Sequence, residues 1–318
     1  MAVTLAEAAV LSQNNLQRGV IETFVQSSPI LDRIPILGID GNAYAYNREG
    51  TLPGVAFRAV NEAYTESTGT VVQATETLAI LGGDADVDKF IVATRGNLND
   101  QRAVQTAMKV KAASYKYSDT FFNGDISVDT KAFDGLKKRL IGAQVIDAGT
   151  NGLGVVAGGH DFLDRMDSLL AAVPGINGQN GAIYANAAIL AKLTSSLRRL
   201  GGADFIREDL TQKRVLTYNG IPVLDAGQTA AGVDILPQTE TQGTAAGITS
   251  SVYAVKFGQD ETDAGVTGLA SNNLRLPAAY DLGEIDAKPV FRVRIDWYCG
   301  LATFGGRAAA RLRGVLNT

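Results

Sequence analysis

At 318 residues the chain has room for about two domains of about 150 residues each. With 46% hydrophobic and 19% charged residues it can bury a sizeable core, which excludes a disordered chain. The net charge of −4 excludes a protein whose work is neutralising phosphate, and a single cysteine, Cys299, excludes an internal disulfide framework.

Residues 4–25 read as an amphipathic helix, with Leu16, Val20 and Phe24, joined by Ile21 and Val25, recurring at helical spacing. The opening "MAVTLAEAAVL" has no basic start and there is no apolar run of about 18 residues, so neither a secretory signal nor a membrane span is expected. Synthesis in a cytosol-like compartment follows. Pro29 and Pro35 in "SSPILDRIPILG" end the helix and predict an extended arm.

"GNAYAYNREGTLPGVAFRAVNEAY" (residues 41–64) reads as two strands, 42–48 and 55–64, around a turn marked by Gly and Pro. Tyr44, Tyr46 and Arg48 share one face, and Arg48, Glu49, Arg58 and Glu62 place charge along the hairpin. Neither face is a clean apolar stripe, and a two-stranded hairpin is marginal alone in water. The hairpin is therefore expected to rest on a neighbouring copy of the chain. Tyr44, Tyr46 and Phe57 would be its aromatic anchors, and Arg48, Glu49, Arg58 and Glu62 would pair across the seam.

Residues 70–93 are rich in β-branched side chains but interrupted by "GGDADVD". Its Asp84, Asp86 and Asp88 have the spacing of a calcium loop, yet Lys89 and Arg95 stand where such a loop needs Gly and Glu. A solvated turn is expected. Residues 99–122 predict a long helix capped by Asn99 or Asp100. Val104, Met108, Ala112 and Tyr115 line one face, and Ala103, Ala107, Val110 and Tyr117 a second. A helix apolar on two sides is expected to be covered on both.

Residues 130–284 mix short helices ("HDFLDRMDSLLAAV", "NAAILAKLTSSLRRLGG") with strands ("GAIYAN", "RVLTYNGIPVLDAG", "SVYAVKFG"), which predicts an α+β or α/β unit. "GTNGLGVVAGG" has dinucleotide-like glycine spacing but neither a strand leading in nor a helix leading out, so it reads as a loop. His160 is the only histidine; near Asp161, Asp164 and Asp167 it reads as a helix-start or surface residue, not a metal ligand. No G-x-S-x-G elbow accompanies any serine. The short basic runs "LKKRL" and "SLRRLGG" read as solvated helix faces. No catalytic, cofactor-binding or metal residues are expected. Finally, "FRVRIDWYCGLATFGGRAAARLRGV" predicts a long antiparallel strand with Phe291, Val293, Ile295 and Trp297 facing one way. Arg292, Arg294 and Asp296 face the other, Cys299 reads as a buried free thiol, and a second strand is expected over 308–315.

The order of these elements, and above all "FFNGD…FDGLKKRL" together with "YNGIPVLDAG", resembles the major capsid proteins of tailed double-stranded-DNA bacteriophages with the Hong Kong 97-like fold. The resemblance implies an α+β fold with an N-arm over 1–40 and an extended E-loop over 41–75. It further implies a peripheral domain with a spine helix over 76–140 and 285–318, and an axial domain over 141–284. Such subunits form hexamers and pentamers of an icosahedral shell and enclose double-stranded DNA without reading its sequence. Portal, scaffold and decoration proteins are their further partners. The place implied is the virion, after synthesis in the bacterial host cytoplasm. A mildly negative subunit suits a shell that must release its DNA.

Two other readings stay open: a cellular encapsulin-type compartment around a cargo enzyme, and a cytosolic α+β enzyme. Because the apolar helix begins near Leu5, no cleaved scaffolding segment is expected. Some relatives lock their shells through an E-loop lysine; here the first lysine is Lys89, so a non-covalent shell is expected.

Overall fold

The structure, a computed structural model, describes residues 28–95, 101–199, 205–207, 214–286 and 288–318. The helix expected over 4–25 and the caps Asn99 and Asp100 lie outside them. Strand β1 (Ile36–Ile39) leads into a hairpin of β2 (Ala43–Thr51) and β3 (Thr70–Thr77). Then come β4 (Ala79–Asp88), the short helix α1 (Lys89–Arg95), the long helix α2 (Gln101–Asn123) and the one-turn helix α3 (Leu136–Arg139). The middle of the chain holds β5 (Val145–Asp147), β6 (Leu153–Gly154), α4 (His160–Ala171), β7 (Gly181–Ala185), α5 (Ala187–Arg199) and β8 (Phe205–Arg207). It continues through β9 (Arg214–Tyr218), β10 (Ile221–Asp225), β11 (Glu240–Gln242) and β12 (Ala245–Lys256). The chain ends in β13 (Val266–Ser271), β14 (Ala278–Glu284), β15 (Val290–Thr303) and β16 (Ala309–Leu316).

Two sheets organise these elements. In the first, β15 pairs with β13 and β14 along one edge and with β4 along the other, and β1 adds beside β13 in parallel. The second runs β5-β16-β12-β7-β10-β9-β8, with β6 on β16 and β11 on β12. Sheet membership therefore departs from the expected division at residue 284. Strands β13 and β14 pair with β15 in the first sheet, while the last strand, β16, pairs with β12 in the second. The alternation of hydropathy marks a strand but carries no record of its partner, which is why the boundary could not be read from the chain.

Helix α2 lies on the first sheet through Val110, Tyr117 and Phe121, and the Tyr117 and Trp297 rings are 4.9 Å apart. That core continues to Phe122, Tyr184 and Tyr253 on one face of the second sheet. Its other face is covered by α4 and α5, where Phe162, Met166, Ile189 and Leu193 meet Ile183, Val223, Val252 and Leu312. Strand β7 is thus covered on both faces, so "GAIYA" is a continuous buried run with no alternation.

The "FFNGD…FDG" motif has a steric cause. Gly135 donates its N–H to Gly124 O at 2.9 Å, folding the chain back at the end of α2. A Cβ on Gly124 would stand 2.3 Å from Phe133 O, and one on Gly135 2.4 Å from Thr120 O, so only glycine fits. In "YNGIPV", Asn219 and Gly220 both take positive φ, 52° and 76°, as the tight turn between β9 and β10 requires.

Two local expectations are corrected. "GGDADVD" is not a solvated turn but part of β4, in register with β15. Asp84 chelates Arg294 at 2.8 and 2.9 Å and Asp86 chelates Arg292 at 2.6 Å, so the acidic run is neutralised across the ladder. The second half of the hairpin is not residues 55–64 but β3, and residues 52–69 form a long tip without strand pairing. The aromatic and β-branched content of 55–64 imitates a strand, but no partner backbone is there to pair with it.

Candidate assembly surface

The hairpin is fixed at its base and open at its tip. Pairing runs from Ala43 opposite Thr77 to Thr51 opposite Thr70, with one irregularity between Glu49 and Thr51. At the base Tyr46 is only 2% exposed; its ring meets the edge of Phe304 at 5.0 Å in a small cluster with Ile39, Leu269 and Ala302. The Tyr46 hydroxyl donates to Thr303 O at 3.1 Å and accepts from Arg48 at 2.7 Å. Arg48 also donates to Thr303 Oγ1 at 2.8 Å and places its guanidinium 5.2 Å from the Tyr46 ring centre. Tyr44 leans on the same Phe304 and donates to Glu261 Oε1 at 2.6 Å. Donation to a carboxylate, helped by partial burial, pushes its phenol up to about 12. On β3, Glu76 grips Arg139 of α3 through both oxygens.

Tyr44, Tyr46 and Arg48 therefore pack within their own subunit. Their partners Phe304, Thr303 and Glu261 lie more than two hundred residues away along the chain, a pairing that no local pattern announces. The one available signal was an aromatic, Phe304, closing the long alternating strand just before Gly305 and Gly306. The Glu49 side chain lies outside the described residues.

The tip is the reverse. Leu52, Val55, Phe57, Val60 and Tyr64 are all exposed, Val55 at 95% and Phe57 at 107%. Local polar contacts give it shape: Glu62 accepts from the Ala59 N–H at 2.9 Å, Arg58 sits 5.1 Å from the Tyr64 ring centre, and Ser67 donates to Gly54 O at 2.9 Å. Of the expected interface residues, Phe57, Arg58 and Glu62 thus lie on the tip, apart from the base cluster. Large apolar side chains left exposed in this number, with Arg58, Glu62 and Glu66 exposed among them, are what an interaction site presents.

The rest of the surface offers little chemistry. Among the described residues no three His, Cys, Asp or Glu side chains gather to hold a metal, and no helix is long and apolar enough to cross a membrane. His160 is exposed at the first residue of α4. Cys299 is a buried free thiol whose ionisation burial pushes up. Glu240, Arg311, Ser251 and Lys137 make a half-buried polar cluster that ties β11, β12 and β16 to α3, with Arg311 2.8 Å from Glu240.

Residues 12–157 match the family model described as Major capsid protein GP7. The fold is that of Hong Kong 97-like capsid proteins. Similar solved structures include the capsid of a native GTA particle, 12% identical, with TM-score 0.65 over 91% of this chain and 90% of that one. A structure of Microbacterium phage Oxtober96 contains a chain 13% identical, with TM-score 0.59 over 90% of both chains. The holo-SrpI encapsulin complex from Synechococcus elongatus PCC 7942 is 18% identical, with TM-score 0.64 over 91% of this chain and 88% of that one. No curated protein sequence matches the chain.

Proposed function

We propose that this chain is a major capsid protein, a reading that the family model over residues 12–157 and the fold support, and that it assembles with copies of itself into an icosahedral shell in which each hairpin tip lies on a neighbouring subunit. The observation that carries the reading is the division of the hairpin: every strong anchor is at its base, and five large apolar side chains stand bare at its tip. A fixed base with a bare tip gives a heterologous contact, which closes into rings and is suited to hexamers and pentamers. The role is structural, and its place is the virion shell. We further take the first sheet with α2 as the peripheral part and the second sheet with α4 and α5 as the axial part. Double-stranded DNA is the expected content, with portal, scaffold and decoration proteins as further partners and the host cytoplasm as the site of synthesis.

The test is to express the chain and examine it by electron microscopy and size exclusion. Closed shells or hexamer and pentamer rings are the expected result; a small monodisperse oligomer that never assembles would overturn the proposal. The likeness to the cyanobacterial encapsulin favours one second reading, a compartment around a cargo enzyme. The contents decide between them: a phage shell takes in nucleic acid during infection, whereas a compartment purifies with a defined protein.

A further inference from the structure

The chain contains five Asn-Gly pairs, at Asn123, Asn151, Asn177, Asn180 and Asn219. Glycine has no Cβ, so the backbone nitrogen that follows such an asparagine is unhindered toward the side-chain carbonyl carbon. Four of the five are held. Asn123 donates through Nδ2 to Ile235 O at 2.7 Å and to Asp119 Oδ1 at 3.0 Å, and the Gly124 N–H donates to Thr120 O at 2.9 Å. Asn151 Oδ1 accepts from the Thr244 N–H at 3.1 Å, and the Gly152 N–H donates to Gly149 O at 3.2 Å. Asn177 Oδ1 accepts from the Gln179 and Asn180 N–H groups, both at 2.9 Å. Asn180 Oδ1 accepts from the Asn177 N–H at 2.8 Å, its Nδ2 donates to Gly175 O at 2.9 Å, and the Gly181 N–H donates to Asn177 O at 2.9 Å.

Asn219 is different. It and Gly220 are exposed, and among the described residues neither its side-chain amide nor the Gly220 N–H makes a hydrogen bond. The two form the turn between β9 and β10, which is fastened by Tyr218 opposite Ile221 and Thr217 opposite Pro222. Pro222 has no N–H to give that ladder, so few bonds resist opening of the turn. Opening matters because attack on the side chain requires Asn219 to leave its left-handed conformation, φ 52°.

We propose that Asn219 is a site of spontaneous covalent modification, deamidation through a cyclic imide. The Gly220 nitrogen gives its proton to hydroxide and attacks Asn219 Cγ. A new N–C bond forms, the Cγ–Nδ2 bond breaks, and Nδ2 leaves as ammonia with a proton from water. A second water then opens the imide at either carbonyl, to give aspartate or isoaspartate; nothing is oxidised or reduced. Either product adds a negative charge, and isoaspartate also lengthens the backbone of the turn. The change falls next to Tyr218, whose hydroxyl fastens β9 to α4 by donating to Asp167 Oδ1 at 2.7 Å. The inference concerns the single subunit and does not depend on the shell reading.

The test is to hold the purified, folded full chain in mildly alkaline buffer and follow each asparagine by site-resolved mass spectrometry. Asn219 should convert first, and the other four at least about tenfold more slowly, the factor that about 1.4 kcal/mol of bonds to be broken beforehand imposes. In the denatured chain all five have the same glycine neighbour and should convert at similar rates. Isoelectric focusing of the folded chain should show an acidic band that Asn219→Gly, which suits the same turn, removes. Conversion of another pair before Asn219, or equal rates in the folded chain, would overturn the proposal. So would an Asn219 that stays intact while the denatured chain reacts, or an acidic band that persists at full strength in Asn219→Gly.

Discussion

Replacing residues 52–69 by an Asn-Gly turn should leave a folded subunit that cannot build shells. Thr51 and Thr70 oppose each other at the end of the ladder, and the Thr51 N–H already donates to Thr70 Oγ1 at 3.0 Å, so a two-residue turn can close there. The side chains removed are exposed, and surface changes of that kind each move stability by about 0.5 kcal/mol or less. Shortening the loop by about three halvings returns about 2 kcal/mol of closure entropy. The subunit should therefore be unchanged or slightly stabilised. Assembly should respond very differently. Full burial of each large apolar side chain is worth about 1.5–3 kcal/mol, so a contact using even two of them loses about 3–6 kcal/mol, two to four orders of magnitude in affinity. Thermal unfolding followed by Trp297 emission reads the first quantity, and sedimentation with electron microscopy reads the second. A tipless chain that unfolds outright, or one that still closes shells, would refute the division of labour between base and tip.

Tyr46→Ala should instead destabilise the subunit itself by about 3–5 kcal/mol, the usual penalty for emptying a buried aromatic site, measured by denaturant unfolding; Tyr46→Phe should lose about 1–3 kcal/mol by leaving Thr303 O and Arg48 with one partner fewer. Acid should loosen the subunit. Asp84, Asp86 and Asp147 are held below the usual carboxylate range, first by hydrogen bonds from Arg294, Arg292 and Arg313, and Asp125 is held at about 2, first by Lys138. Their folded pKa values are depressed, so their contribution is present above the unfolded value near about 3.9 and is lost as pH falls through the folded ones. Melting temperature should drop between about pH 4 and pH 2, and Arg294→Gln should flatten that drop; an unchanged slope would contradict the assignment. Boiled in detergent, purified shells should give a single band near the 33.4 kDa subunit mass: the tip offers only Arg58 as a cation, and a guanidinium stays protonated and cannot attack an amide. A ladder of covalent multimers would sink that reasoning.

Periodicity revealed the elements whose burial alternates regularly. The faces of β15 were legible because Val293, Ile295 and Trp297 alternate with Arg292, Arg294 and Asp296, and the core and the Asp ladder follow that division. The length of α2 was legible for the same reason. The turn Asn219–Gly220 was legible because two successive positive φ angles demand those residue types. Long-range pairing was not. Asp84 and Asp86 looked like a turn because glycine and aspartate are turn formers locally; the arginines that make a strand of them lie across the sheet. Residues 55–64 looked like a strand because propensity says nothing of whether a partner is present.

The same limit explains why the intrachain partners of the hairpin base could not be read from the sequence. Mixed faces on an isolated hairpin imply that something outside it completes it, but they do not say whether that something is the same chain or another. Tyr46 and Arg48 turn out to be completed by Phe304 and Thr303, which fixes where β2 and β3 leave the body. A hairpin held only at its far end by a neighbour would have to be ordered at the moment of assembly, and each contact would then carry that entropy penalty. Fixing the base within the subunit removes most of it beforehand and aims the tip. Weak tip contacts, repeated in every subunit, can then hold a closed shell, and Phe57, Arg58 and Glu62 are the residues on which that strength should be measured.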